Sequence, residues 1–235
     1  MYKIYSLVIA PLLFCVITIL TGLTVTITSL LGINVLAHHY VPQWWGKLSI
    51  KLFLLDVEVK GIEKIDKKQS YIFLANHQGY FDILLLYGYL GCAFKWMMKE
   101  YLKKMPVVGW TCMCTRQIFV GDSLASIHNA IDHSRKVLRG GMSMAIFPEG
   151  TRTYDGKMIP FKRGAFMLAN EIGLPLVPIT INGSFNVFGR KAKSVTRGKL
   201  TLVIHDPITS EDRQGKNVKT IMQDVHDIIE RDLLA

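Results

Sequence analysis

Residues 71–90 read YIFLANHQGYFDILLLYGYL, and this stretch decides the fold class. The segment Tyr71 to Ala75 is apolar and predicts a short strand, because a continuous apolar run of this length is typical of a strand covered on both faces. A turn follows at Gln78-Gly79, and the apolar segment Asp82 to Leu90 predicts a helix. A strand that leads through a turn into a helix is the unit from which parallel sheets are built.

The same alternation of strands and helices continues along the chain. Further strands are predicted at Val57–Lys60, Ile118–Val120, Ser143–Phe147, Leu176–Ile181 and Leu200–Ile204. Further helices are predicted after a Ser123 cap, at Gly164–Ile172, and along the apolar stripe from Val218 to Leu233. The sequence therefore predicts an α/β fold with a mostly parallel central sheet flanked by helices.

The N-terminal segment is apolar and predicts a membrane anchor. No Asp, Glu, Lys or Arg occurs from Ile4 to Gly46. As a helix, Ile4 to Leu31 would be roughly 40 Å long, whereas the hydrocarbon core of a bilayer is about 30 Å thick. It could span with tilt or lie in the interface, and a signal peptide is the alternative. His38 to Leu55 places aromatic rings beside lysines, which suits a membrane interface, and a soluble core helix is the alternative there. We expect two parts: residues 1–56 as membrane-anchoring helices and residues 57–235 as the α/β domain.

The chain of 235 residues carries a formal net charge of +10, which predicts an anionic partner. A basic stretch without acidic residues contains Arg190, Lys191, Lys193, Arg197 and Lys199. Aromatic residues are sparse in it and no RNA-binding motif is present, so nucleic acid is not expected. Because an apolar anchor is predicted as well, an anionic membrane surface is the better partner. We expect a protein of the cell inner membrane whose α/β domain faces the cytoplasm.

The first motif that carries chemistry is Asn76-His77-Gln78-Gly79-Tyr80-Phe81-Asp82, between the predicted strand and helix. A turn at Gln78-Gly79 would let Asp82 accept a hydrogen bond from one ring nitrogen of His77. That contact fixes the tautomer and makes the other nitrogen a base for a substrate hydroxyl. Taken alone, the spacing is more typical of a structural histidine.

The second motif is Phe147-Pro148-Glu149-Gly150-Thr151-Arg152, which also follows an apolar strand. The planar fork of Arg152 can pair with two oxygens of a phosphate, and Glu149 can hold that arginine or a substrate hydroxyl. A surface turn with a salt bridge is the alternative. Lys99 could meet a phosphate, and Val177-Pro178 could line an acyl pocket.

Together, Asn76-His77-x4-Asp82 and Phe147 to Arg152 resemble the 1-acyl-glycerol-3-phosphate acyltransferase family, also called lysophosphatidate acyltransferases. The resemblance covers about Val57 to Ile204 and extends to the apolar N-terminus. It implies acyl transfer from acyl-CoA or acyl-carrier protein to the hydroxyl of 1-acyl-glycerol-3-phosphate, giving phosphatidic acid without a covalent intermediate, a metal or a cofactor.

The resemblance also assigns roles to individual residues. It implies that His77 is the general base and that Asp82 orients it. The acceptor-binding residues that it implies are Asn76, Glu149, Gly150, Thr151, Arg152 and Lys99, and the residues that shape the acyl site are Val177 and Pro178.

One position departs from the family pattern. Where the family often carries Phe-Ile-Asp-Arg, the matching stretch at residues 118–123 reads IFVGDS, with Asp122 in place of the arginine. Either Asp122 turns outward or caps the next helix, or the acceptor is another lysolipid, such as a lyso-phosphodiester or an acylated amino-acid lipid. A lipid hydrolase and a non-catalytic membrane-binding protein are further alternatives.

Overall fold

The computed structural model describes residues 2–121 and 123–234. The helices are α1 (Tyr2–Leu30), α2 (Val41–Leu52), α3 (Phe81–Tyr89), α4 (Val108–Cys114), α5 (Leu124–Val137), α6 (Arg163–Ile172), α7 (Ser184–Phe188) and α8 (Val218–Arg231). The strands are β1 (Asp56–Lys60), β2 (Ile72–Ala75), β3 (Phe94–Lys99), β4 (Ile118–Val120), β5 (Ser143–Ile146), β6 (Leu176–Asn182) and β7 (Lys199–Ile204).

The seven strands form one sheet in the order β1-β7-β6-β2-β5-β3-β4. Five of the six strand pairs are parallel, and only β6 and β7 are antiparallel. The predicted α/β fold with a mostly parallel sheet is therefore confirmed. In parallel sheets the strands are covered on both faces, which explains why β2, β5 and β6 are buried along their whole length.

Each face of the sheet carries its own hydrophobic core, because successive side chains of a strand point to opposite faces. Phe73 and Ala75 of β2 belong to the core that also holds residues of α2 and α3. Ile72 and Leu74 belong to the opposite core, which is covered by α5, α6 and α8. The alternation along β2 thus anchors the strand in both layers and fixes where its carboxyl end emerges.

The N-terminal helices pack against the α/β domain. Gly46 of α2 crosses Gly88 of α3 so closely that a Cβ atom on Gly46 would lie 2.6 Å from the backbone nitrogen of Gly88. Along α1, contacts with the rest of the chain run from Tyr2, whose hydroxyl donates to the Phe53 carbonyl (3.0 Å), to Ser29, whose hydroxyl donates to the Cys114 carbonyl (2.9 Å). The outer face of α1 is apolar and exposed, with Leu20 58% exposed. The helix is long and apolar enough to cross a membrane.

The helix ends predicted at Ser123 and Gly173 are found in the structure. The Ser123 hydroxyl accepts a hydrogen bond from the Ser126 backbone N–H at the start of α5, and Gly173 ends α6 with φ of 74°. Gly is favoured there because it has no Cβ to oppose the left-handed conformation. Asp122 lies outside the described residues, so the two alternatives for its side chain stay predictions.

Candidate active site

The two motifs meet at one edge of the sheet. Strands β2 and β5 are parallel neighbours, with Leu74 opposite Ile146, so the segments that follow them leave the sheet side by side. Carboxyl ends of parallel strands are where α/β proteins place their chemistry. The two motifs are about seventy residues apart in the sequence, and the pairing of β2 with β5 brings them together in space.

The structure brings His77 and Asp82 together. Nδ1 of His77 lies 2.7 Å from Oδ2 of Asp82, which is in the first turn of α3 and is fully buried. The same Oδ2 atom accepts the backbone N–H groups of Gln78 (2.7 Å) and Gly79 (2.9 Å). Three donors that converge on one oxygen fix the loop around the Asp82 side chain.

The ring of His77 is held in one orientation. It stacks on the ring of Phe147, with centroids 3.9 Å apart and planes 6° from parallel. Because a carboxylate only accepts hydrogen bonds, Asp82 assigns the proton of neutral His77 to Nδ1. The lone pair of Nε2 is then left for a substrate proton, and the His77 side chain keeps 14% of its surface exposed.

Glu149 joins the second motif to the backbone of His77. Its Oε1 atom accepts the His77 N–H (2.6 Å), and its Oε2 atom accepts the N–H of Ile159 (3.0 Å). The N–H of Thr153 donates to the His77 carbonyl (2.9 Å), so Glu149 and Thr153 together hold both backbone polar groups of His77. Burial raises the pKa of Glu149 to about 7, although the two backbone N–H donors act in the opposite direction. In this structure Glu149 therefore supports the backbone of the site, and its contact with an acceptor stays a prediction.

Arg152 lies beside the loop that carries His77. The carbon at the centre of its guanidinium group is 3.6 Å from the ring centroid of Tyr80, a cation–π contact. Its Nη1 atom is buried and has no hydrogen-bond partner among the described residues. A buried guanidinium nitrogen without a partner is costly, so this site is suited to an anionic ligand. Gly150, with φ of +71°, turns the chain that carries Arg152.

The remaining predicted site residues are described by their positions in the sheet. Both polar atoms of the Asn76 side chain bond the backbone of Ile181, so Asn76 ties β2 to β6. Val177 and Pro178 are buried within β6, opposite Phe73 and Leu74. Lys99 is exposed at the end of β3. Their contacts with substrate stay predictions.

Sequence reasoning missed two residues at this site. Tyr80 was seen only as part of the first motif, and Arg190 only as one member of a basic stretch. Arg190 Nη1 donates to the Thr151 hydroxyl (3.0 Å), which places a second guanidinium next to the second motif. The basic stretch marked Arg190 as cationic, but its proximity to the motif depends on the fold.

One cluster of possible metal ligands occurs in the described part of the chain. His226, Asp227 and Glu230 place their ligand atoms within 4.8 Å of one another on α8. The two carboxylates are exposed, and exposed acidic groups commonly cluster without an ion. The cluster lies on another element than the two motifs.

The chain is similar to known acyltransferases. The Acyltransferase family model matches residues 56–182, more than half of the chain. A chloroplastic 1-acyl-sn-glycerol-3-phosphate acyltransferase of Brassica napus is 30% identical over 175 residues, covering 73% of this chain and 50% of the relative. The Saccharomyces cerevisiae 1-acyl-sn-glycerol-3-phosphate acyltransferase is 31% identical over 188 residues, covering 76% of this chain and 60% of the relative.

A solved structure extends the likeness to almost the entire chain. The crystal structure of the 1-acyl-sn-glycerophosphate acyltransferase PlsC from Thermotoga maritima superposes with a TM-score of 0.83 at 28% identity, covering 98% of this chain and 95% of that one. The chain spans only about half the length of the first curated relatives that it matches. The chain belongs to the Acyltransferase family.

Proposed function

We propose that this protein transfers an acyl group from acyl-CoA or acyl-carrier protein to the free hydroxyl of 1-acyl-glycerol-3-phosphate, giving phosphatidic acid. The observation that carries the proposal is the His77–Asp82 pair at the sheet edge, next to an Arg152 guanidinium nitrogen that has no hydrogen-bond partner among the described residues. Relatives that are 30% and 31% identical to this chain are named 1-acyl-sn-glycerol-3-phosphate acyltransferases, which supports this reaction class.

In the proposed mechanism, Nε2 of His77 removes the proton of the acceptor hydroxyl as its oxygen attacks the thioester carbonyl. The negative charge of Asp82 stabilises the imidazolium that forms. When the tetrahedral intermediate collapses, the carbon–sulfur bond breaks and the imidazolium returns its proton to the departing thiolate. The products are phosphatidic acid and a free thiol, and the acyl group never bonds to the protein. None of these reaction steps requires a cofactor.

Arg152 binds the acceptor phosphate in this proposal. A guanidinium offers parallel N–H groups that match two phosphate oxygens, and Nη1 has no other partner among the described residues. Lys99 contributes a further positive charge from the end of β3. Because His77 is joined to the second motif through Glu149 and Thr153, phosphate binding and the base are held in one rigid unit.

We also propose that α1 lies in the plane of the membrane. Its contacts with Phe53 at one end and with Cys114 at the other are 27 residues apart along the helix, or about 40 Å at 1.5 Å per residue. A spanning helix would have to carry these packing partners across the bilayer. An in-plane helix needs to bury only its exposed apolar face. The domain then stays on one side, which we propose is the cytoplasmic side of the inner membrane.

The activity is tested with purified protein and a panel of lysolipids, supplied in turn with acyl-CoA and acyl-carrier protein. We expect labelled acyl chains in phosphatidic acid and almost none with His77→Ala, since general-base catalysis is typically worth about 10²–10⁴-fold. Transfer to an amino-acid lysolipid but not to 1-acyl-glycerol-3-phosphate would contradict the proposal. An acyl–protein adduct seen by mass spectrometry would contradict the direct mechanism.

The in-plane arrangement is tested with an N-terminal tag and protease treatment of sealed vesicles. We expect the tag and the α/β domain to be cleaved from the same side. Protection of one while the other is cleaved would show that α1 spans the bilayer.

A further inference from the structure

A second guanidinium group is tethered to the loop that carries His77. Gly189 forms a β-bridge with Gly79, and the N–H of Tyr80 donates to the Phe188 carbonyl (3.3 Å). Gly79 is packed so tightly against Ser184 that an added Cβ atom would lie 2.5 Å from the Ser184 carbonyl oxygen. Arg190 directly follows this bridge, so its backbone position is coupled to the catalytic loop.

The side chain of Arg190 is fixed on two sides. Its Nη1 atom donates to the Thr151 hydroxyl (3.0 Å) and lies 3.4 Å from the Arg152 carbonyl. The centre of its guanidinium group is 4.0 Å from the ring centroid of Tyr154. These contacts use one nitrogen and one face of the group. The N–H groups of Nε and Nη2 have no assigned partner among the described residues.

The guanidinium groups of Arg152 and Arg190 lack a direct carboxylate partner in the described part of the chain. Arg152 and Arg190 form no ion pair within residues 2–121 and 123–234. The sequence holds no acidic residue from 173 to 204. The nearby carboxylate of Glu149 is occupied by two backbone N–H groups. Two guanidinium groups on neighbouring segments repel each other, and a bound anion removes that repulsion.

We infer that Arg190 binds the acceptor phosphate together with Arg152 and selects acceptors with a phosphomonoester. This inference rests on the proposed function and deepens it. A phosphomonoester carries close to two negative charges near neutral pH, whereas a phosphodiester carries one. Two guanidinium groups therefore match the monoester in charge, and each can pair with its oxygens through a planar fork. Arg152 holds one side of the phosphate from the loop after β5, and Arg190 holds the other from the segment after α7.

The test measures acyl transfer by Arg190→Gln and Arg190→Lys in mixed micelles, with 1-acyl-glycerol-3-phosphate as acceptor and acyl-CoA as donor. Arg139→Gln is the matched control. It removes the same charge from an exposed arginine just after α5, whose Nε atom donates to the Arg135 carbonyl. Loss of one charge-assisted contact to the phosphate should raise the KM for the acceptor roughly 10- to 100-fold in Arg190→Gln.

Three further readouts separate phosphate binding from support of the loop. We expect kcat and the KM for acyl-CoA to stay within about threefold of native. We expect Arg190→Lys to recover part of the acceptor KM, because lysine restores the charge but not the fork. We also expect glycerol 3-phosphate to inhibit the native protein more strongly than Arg190→Gln.

Each alternative outcome overturns the inference. An unchanged acceptor KM shows that Arg190 does not bind the phosphate, and a raised KM for acyl-CoA alone assigns it to the donor. A fall in kcat with unchanged KM values assigns it to loop support. If the native protein itself transfers nothing to 1-acyl-glycerol-3-phosphate, the proposed function fails, and that result is seen before any variant is compared.

Discussion

Replacing Asp82 by Asn tests whether the charge of this residue, as well as its shape, serves catalysis. Asn keeps the size of the side chain, and its oxygen can still accept from Nδ1 of His77 and from the two backbone N–H groups that meet Oδ2 in the native protein. The negative charge is lost. At roughly 4 Å between the charge centres and an effective dielectric constant of about 20, that charge stabilises the imidazolium by about 4 kcal/mol.

An energy of about 4 kcal/mol corresponds to a rate factor of about 10³, since each 1.36 kcal/mol is tenfold. The loss should appear in kcat, because the imidazolium exists only after the acceptor is bound. The KM for 1-acyl-glycerol-3-phosphate should change little. The assay is steady-state acyl transfer from radiolabelled acyl-CoA, with thermal unfolding in detergent as the test of folding.

Asp132→Asn is the control, because that aspartate is 67% exposed on α5 and its ion pair with Arg135 is long, at 4.0 Å. It should leave both rate and stability near native. A folded Asp82→Asn protein with kcat within tenfold of native would refute the charge argument. A rise in KM with unchanged kcat would instead place Asp82 in acceptor binding.

Three further predictions concern stability and the membrane. The raised pKa of Glu149, about 7, implies that its protonated form stabilises the fold below about pH 4.5 and that this contribution is lost as pH rises through 7. The free energy of unfolding of native protein relative to Glu149→Gln should therefore fall by about 3 kcal/mol across that range, and a pH-independent difference would contradict it. Gly79→Ala should abolish transfer and lower the melting temperature, because the added Cβ atom would overlap Ser184. Gly164→Ala is the control and should be neutral or stabilising, because the space around Gly164 is open. Equal melting temperatures for the two variants would refute the packing argument. Leu20→Lys on the exposed face of α1 should weaken vesicle binding roughly 10- to 100-fold while the fold is kept, and unchanged partitioning would exclude this face from the membrane.

Local sequence determined most of the individual elements. The predicted strand Ile118–Val120 matches β4, and Leu200 to Ile204 lies within β7. The apolar stripe that begins at Val218 predicted α8, which starts at that residue. These elements were predictable because periodicity and caps act within a few residues, so the local pattern contains the physical cause.

Strand β3, in contrast, was not predicted. Phe94 to Lys99 is a strand, but Lys95 and Lys99 interrupt its apolar pattern. Lys95 is nevertheless buried, because its amine donates to the Thr115 carbonyl (2.6 Å) and contacts His38 (3.1 Å), which precedes α2. Burial lowers the pKa of Lys95 to about 7, so the amine can lose its charge more readily than in water. The positive charge had made a buried strand here look unfavourable in the sequence. Such compensation comes from residues far away in the chain.

The candidate site also has features that were predictable from the sequence and features that depend on the tertiary structure. The sequence by itself determined the motif residues, and the spacing of His77 and Asp82 was sufficient to predict their contact. The tertiary structure alone decided that Glu149 supports the backbone of His77, and that Arg190 lies against Thr151. The first pair is joined by a five-residue turn, whose geometry is local. The other contacts join segments about 40 to 70 residues apart, and they exist because parallel pairing of β2 with β5 and β6 brings the ends of distant strands to one edge of the sheet.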